Sequence, residues 1–240
     1  MNEPIQTELF PEEAIRGKCR RRSSSVRRRD PMFLRNQFPG FGKWGIPFVR
    51  KQSVDLDNIG LIACTNTVFP DDENFDLGVH FFVDDFRFLD IYDHPEKTLA
   101  KFKQYRFCCT PDCSVYGEMS PWRQMESVAR SRWIGAFWQS KGMIVVPTVS
   151  WDSYASFEFC FDGIEEGSVV VVATYGCRQG RAGFLRGYSE MLKRVRPEAV
   201  ICYGQPFPGM PGRIIAIPPQ NPRELHRELP VRGWRDLAGQ

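Results

Sequence analysis

The 240-residue sequence predicts an α/β domain with a mostly parallel sheet and covering helices: a distorted or incomplete TIM-like barrel, or alternatively an open doubly wound sheet. Three observations predict it. Short β-branched apolar runs alternate with longer amphipathic stretches. The runs are apolar at nearly every position rather than at every second one, which is the pattern of strands buried on both faces. A chain of this length can also hold such a sheet as one unit, since α/β barrels commonly need about 200 to 250 residues.

Residues 1–53 read as an arm and a strap. They hold twelve Lys/Arg against five Asp/Glu, an excess of seven positive charges, whereas the remaining 187 residues carry a net charge of −4. The densest block includes Arg20, Arg21, Arg22, Arg27, Arg28 and Arg29 around Ser23, Ser24 and Ser25. Such a block repels itself and buries nothing, so it is expected to be disordered when unbound. Guanidinium groups at this density suit phosphate, which makes non-specific nucleic-acid contact one reading. A solvated tail or a contact with an acidic partner is the other. From Pro31 to Arg50 the text turns to Phe, Pro and Gly with one Trp, and those aromatics imply a strap docked on a folded surface.

The body, 54–220, carries seven candidate strands: 58–65, 79–84, 105–110, 143–149, 168–174, 199–204 and 213–218. Candidate helices lie near 95–103, 121–140, 152–160 and 180–195. Ser120 and Pro121 suit the start of the second, and Gly142 suits its C′ position. Pro197 stops the last. The segment TVFPDDENFDLG stands where a helix should link the first two strands, which argues against a regular eight-fold barrel. Residues 221–240 read as a charged tail.

In either architecture the ligand site is expected beyond the C-terminal strand ends. Those ends carry Asn66, Asp84, Asp85, Arg87, Asp112, Ser114, Tyr116, Thr148, Ser150, Trp151, Thr174, Arg178 and Tyr203. The set implies a polar pocket with an aromatic wall of Trp151, Tyr116 and Tyr203. Asp84 and Asp112 are the candidate catalytic pair, able to hold a hard cation such as magnesium or to divide acid and base roles. Strand alternation turns Asp84 and Asp85 to opposite faces, with Asp84 on the face of His80. Capping and salt bridges to Arg87 or Arg106 are the competing use of these aspartates, and His80 reads as a core residue.

Other chemistry finds no support in the text. With three histidines, two beside a proline and in a charged tail, no Ser-His-Asp triad emerges. GCRQGRAG departs from both the Walker and the dinucleotide patterns, leaving only a weak anion site with Arg178 and Arg181. The eight cysteines lie mostly in strand-like runs and are expected to be buried and reduced; Cys108, Cys109 and Cys113 lack the spacing of zinc knuckles. The start lacks a secretory pattern and no run approaches membrane length, so a cytoplasmic protein with no membrane partner is expected.

The runs GVHFFVDDFRF, RSRWIGAFWQSKGMIVVPTVSW, FCFDGIEEGSVVVVATYG and FLRGYSEMLKRVRPEAVICYG together resemble a family known as domain of unknown function 4417. The resemblance covers about residues 55 to 218 and places Asp84, Asp85, Asp112, Ser114, Trp138, Gln139, Trp151, Gly176 and Gly204 in the shared pattern. It implies a protein of phages, prophages and conjugative elements acting inside a bacterial host cell, and it implies no activity. Three functional readings follow. One is a phage or mobile-element accessory protein with a polar strand-end pocket for a small ligand or nucleotide and a basic arm on nucleic acid. The second is a metal-assisted hydrolase using the strand-end aspartates. The third is a non-catalytic protein binding a host factor through exposed aromatics.

Overall fold

The structure, a computed structural model, describes residues 24–175, 177 and 180–219. They fall into two units divided between Gln37 and Phe38. In the first, Ser24–Arg27 (α1) and Pro31–Leu34 (α2) are single helical turns, the second capped by the Asp30 carboxylate accepting from Met32 N at 3.0 Å. Arg27, Arg28 and Arg29 are exposed, and the Arg27 guanidinium stands 5.4 Å from the Phe33 ring centre. One helical turn thus interrupts the block expected to be disordered, although four residues are far too few to hold a helix without packing.

In the second unit the strap begins with a two-residue hairpin ladder, Gly40–Phe41 (β1) against Ile46–Pro47 (β2). Seven strands then run parallel in chain order: Leu61–Ala63 (β3), Gly78–His80 (β4), Phe107–Cys109 (β5), Val145–Val146 (β6), Val170–Ala173 (β7), Val200–Tyr203 (β8) and Ile214–Ile217 (β9). The first four and the last three form separate ladders. A parallel bridge between Thr148 and Val171 links them, with Val149 N donating to Val171 O and Val171 N to Pro147 O, both at 2.9 Å. Each expected strand exists, but shorter, because the outermost residues of each apolar run turn into loops.

Alternate residues divide the core. Leu61, Phe107, Cys109, Val146, Val171, Ile201, Tyr203 and Ile217 share one cluster that contains no helical residue. Val170, Val172, Val200 and Cys202 instead pack with Phe184, Tyr188, Met191 and Val195. The sheet therefore curls around an inner core and carries its helices outside, as strands with two apolar faces require. His80 of β4 lies 4.5 Å ring to ring from Tyr203 of β8, across that interior. Among the described residues no ladder joins β9 to β3, so the sheet stays open. Gly78 shows how tight the inner packing is: a Cβ there would lie 2.1 Å from the Phe107 ring.

Between β4 and β5 stand two short helices, Asp90–Asp93 (α3) and Leu99–Lys103 (α4), and two long helices cover the outside. Pro121–Ser140 (α5) buries side chains around much of its circumference, from Gln124 to Trp138. Ser120 stands at its N-cap, but its carbonyl rather than its hydroxyl serves the first turn, accepting from Arg123 N and Gln124 N. Gly142 takes a positive φ of 77° just beyond the end, as expected of C′. Gly180–Val195 (α6) has one apolar stripe, Phe184, Gly187, Tyr188, Met191 and Val195. Elsewhere helix forms less than expected: 95–103 shortens to Leu99–Lys103, and 152–160 holds only a 3-10 turn at Ser156–Glu158.

The strap from Val49 to Ile59 crosses the N-terminal strand ends. Val49 bridges Ile164, Lys51 N donates to Glu165 Oε2 at 2.7 Å, and Val145 N donates to Gln52 Oε1 at 2.8 Å. Arg106 at the foot of β5 donates to Asp57 O at 2.9 Å and pairs with Asp55. Val54, Leu56 and Ile59 pack beneath the inner cluster. The expected docking therefore continues past Arg50 to the start of β3.

Candidate functional site at the C-terminal strand ends

The loops after β4, β5 and β6 converge. Behind His80 the chain leaves the sheet and enters a 3-10 turn, Asp85–Arg87. Asp85 turns toward the loop after β5, where its carboxylate accepts from Ser114 N at 3.0 Å and from Ser114 Oγ at 2.8 Å. Asp112 lies in that loop, partly buried and near Ser150 of the loop after β6. Burial, followed by the nearby Asp85 charge, pushes the Asp112 carboxyl up to about 7, while Ser150 and Arg132 pull the other way. A second pair of strand-end residues braces the cluster: Ser131 Oγ donates to Thr110 Oγ1, and Thr148 N donates to the same oxygen, both at 2.9 Å.

Arg132 of α5 anchors this corner from below. It is 2% exposed and donates to Thr148 O at 2.8 Å, Cys160 O at 3.1 Å and Asp162 O at 3.3 Å. Burial lowers its pKa to about 10, so it remains a cation at neutral pH. Sequence reasoning passed over it, because RSRWIGAFW offers two arginines and the other, Arg130, stays partly exposed in an ion pair with Glu126.

The structure corrects several expectations. Asp85, not Asp84, faces Asp112: the strand ends at His80, so strict alternation no longer applies, and Asp84 is exposed with no side-chain capping bond. The aromatic wall does not assemble. Trp151 packs in the outer core against Phe184, with its ring so close to Gly187 that a Cβ there would lie 2.1 Å from Nε1. Tyr203 belongs to the inner core, and Tyr116 is 46% exposed. Thr148 and Thr174 are buried with their hydroxyls committed to Thr110 O and Tyr203 O. Asn66 is exposed on a turn, accepting from Thr65 Oγ1 at 3.2 Å. Arg87 is exposed over Phe86. Arg178, Arg20, Arg21, Arg22 and the tail 221–240 lie outside the described residues.

His80 is enclosed in the core as expected, its Nδ1 accepting from Phe82 N at 3.1 Å; burial lowers its pKa to about 3, so it stays neutral. The described cysteines form no disulfide, and Cys108 and Cys109 are fully buried. Among the described residues, no three His, Cys, Asp or Glu side chains gather as a metal cage. Nor is any described helix long and apolar enough to cross a membrane.

These features define an open, parallel α/β protein with a carboxyl pair at its C-terminal rim. The chain belongs to the family described as Domain of unknown function (DUF4417), whose pattern matches residues 38–218, starting where the second unit starts. It is similar to the Gene 1 protein of Mycobacterium phage L5, with 41% identity over 130 residues, which cover 53% of this chain and 57% of that protein. It is also similar to the Gene 1 protein of Mycobacterium phage D29, with 34% identity over 183 residues, covering 73% of this chain and 66% of that protein. The chain thus spans between half and two thirds of the length of these relatives. No solved structure matches it.

Proposed function

We propose that this chain is an accessory protein of a phage or related mobile element that binds a small polar ligand or nucleotide at its C-terminal rim. The observation that carries the reading is the Asp85–Asp112 pair with Ser114 and Ser150, in which burial and a like charge hold one carboxyl near neutrality. A group kept in that state can donate or accept a hydrogen bond according to the ligand it meets, and such groups concentrate at functional sites. Equilibrium dialysis against nucleoside phosphates and neutral nucleosides should find one class retained by the native chain and released by Asp85→Asn with Asp112→Asn. Equal retention by both chains would remove the reading.

The same pair favours a second reading, hydrolysis assisted by magnesium held on Asp85 and Asp112, since magnesium commonly takes one or two carboxylates plus water. Turnover of a phosphoester that vanishes with the metal and with Asp112→Asn would select it.

The exposed Arg27, Arg28 and Arg29, close in sequence to Arg20, Arg21 and Arg22, support nucleic-acid contact by the arm. If all six neutralise phosphates, affinity for duplex DNA should fall about a thousandfold between roughly 50 and 200 mM salt. Exchanging all six for Ser in the full chain should abolish both affinity and salt dependence in a filter assay. Binding to a host protein is the competing use of the surface, supported by exposed Phe69, Phe86, Trp122 and Tyr154.

A further inference from the structure

A cavity of about 230 Å³ opens beside the end of β3, with neither Asp85 nor Asp112 in its lining. Its apolar floor is Phe88, Ile91 and Phe102, all buried. Its charged rim is Arg87, Asp90, His94, Lys97 and Lys101, contributed by the connection between β4 and β5. The charges do not balance. Asp90 already serves Lys97 at 3.2 Å and His94 at 3.7 Å. Arg87 and Lys101 form no ion pair among the described residues; each stands 5.2 Å from a ring centre, of Phe86 and Phe102 respectively.

Both cations line the cavity together with Cys64. Cys64, which lines the cavity, feels the charge of Lys101 and of Arg87. Burial nevertheless pushes its thiol up to about 12, so Cys64 supplies no negative charge at neutral pH. Two cations over an apolar floor therefore lack a counter-charge from the protein.

We infer that this cavity binds the phosphoryl group of a small phosphorylated molecule between Arg87 and Lys101. A phosphomonoester carries about −1.5 to −2 at pH 7, which matches two unpaired cations, whereas a carboxylate supplies one charge. The volume falls below the roughly 300 Å³ at which drug-sized sites begin, so it suits the phosphate and little more. The remainder of the molecule stays outside. Sequence reasoning singled out Arg87 alone; Lys101 lies in the helix Leu99–Lys103 and Lys97 in the turn before it, so no helical periodicity joins them in the text.

The cavity shares no residue with the carboxyl pair, and Asp112 shares no element with it, so the two readings can fail separately. The test is a phosphorus NMR titration of the full chain with inorganic phosphate in chloride buffer at constant ionic strength. Saturable binding is expected, weakened about tenfold by Arg87→Gln and again by Lys101→Gln. Lys97→Gln, whose ammonium Asp90 already neutralises, should weaken it less than about threefold. Asp112→Asn should leave it unchanged. Circular dichroism melting of the Arg87→Gln, Lys101→Gln chain should match the native one, since neither side chain is fully buried. Absence of saturable binding in the native chain, or native affinity in the double variant, overturns the inference. Displacement of phosphate by AMP supports a small phosphorylated molecule; displacement solely by an oligonucleotide without terminal phosphates overturns that in favour of a nucleic-acid backbone.

Discussion

The two rims of the sheet are built on opposite principles. At the N-terminal rim a single strap, Val49–Ile59, meets β5, β6 and the approach to β7 through hydrogen bonds that each pair a backbone group with a side chain, and its apolar residues close the inner core. At the C-terminal rim the loops after β4 and β5 meet through the Asp85 and Ser114 side chains, Asp112 stands near Ser150 of the loop after β6, Ser131 of α5 reaches Thr110, and one of the groups is held away from its ordinary protonation state. One end spends its polar groups on closure. The other keeps ionisable groups in a poised arrangement, which is why the functional proposal rests there.

The largest expected effect tests whether the two rims are mechanically joined. Arg132→Met leaves the carbonyls of Thr148, Cys160 and Asp162 without their buried donor, so stability should fall by about 3 to 5 kcal/mol in urea unfolding. A change below about 1 kcal/mol would mean that the C-terminal rim needs no brace from α5.

Next comes a pH effect confined to the C-terminal rim. Asp112 is raised from the ordinary 3.8 to about 7, so between those pH values the native chain holds a proton that the unfolded chain has released. Its contribution is fully present below about pH 3.8 and disappears as the pH rises through about 7. The span is at most on the order of 4 kcal/mol. Asp112→Asn, which cannot ionise, should flatten the stability profile across that window in denaturant melts at stepped pH. A slope equal to that of the native chain would show that Asp112 is not held in its protonated form.

Gln52→Ala probes the opposite rim. It takes the acceptor from Val145 N and from Gln139 Nε2, and should cost about 1 to 3 kcal/mol with no dependence on pH between 4 and 8. The smallest effect separates neighbours. Asp84→Asn, at an exposed position, should alter stability by less than about 0.5 kcal/mol, whereas Asp85→Asn weakens the bonds to Ser114 and should cost about 1 kcal/mol. Equal effects would erase the distinction between the two aspartates.

Much of the fold was legible beforehand. The runs around Val79, Cys108, Val171 and Ile201 are apolar on both faces, which only a sheet covered on each side can use, and Pro121, Gly142 and Pro197 punctuate the two long helices with bounds that the structure keeps. The stretch near 152–160 failed because its aromatics anchor by packing, Phe157 against Phe161, and not by helical periodicity. The candidate site was legible as a set of positions but not as a geometry. Asp112 and Ser114 stand where a strand-end reading puts them, while Trp151 and Tyr203 look equally available in the text and are consumed by two different cores.

The sequence by itself determined the order and direction of the strands, the basic arm and the family, because periodicity, charge and word pattern are local and survive without coordinates. Tertiary structure alone decided that Asp85 and not Asp84 meets Asp112, that Arg132 is enclosed, and that Arg87 and Lys101 share a cavity. Those choices depend on where a strand ends and how far its loop turns. Contacts between distant segments set both, and one residue of difference there reverses which side chain faces the site.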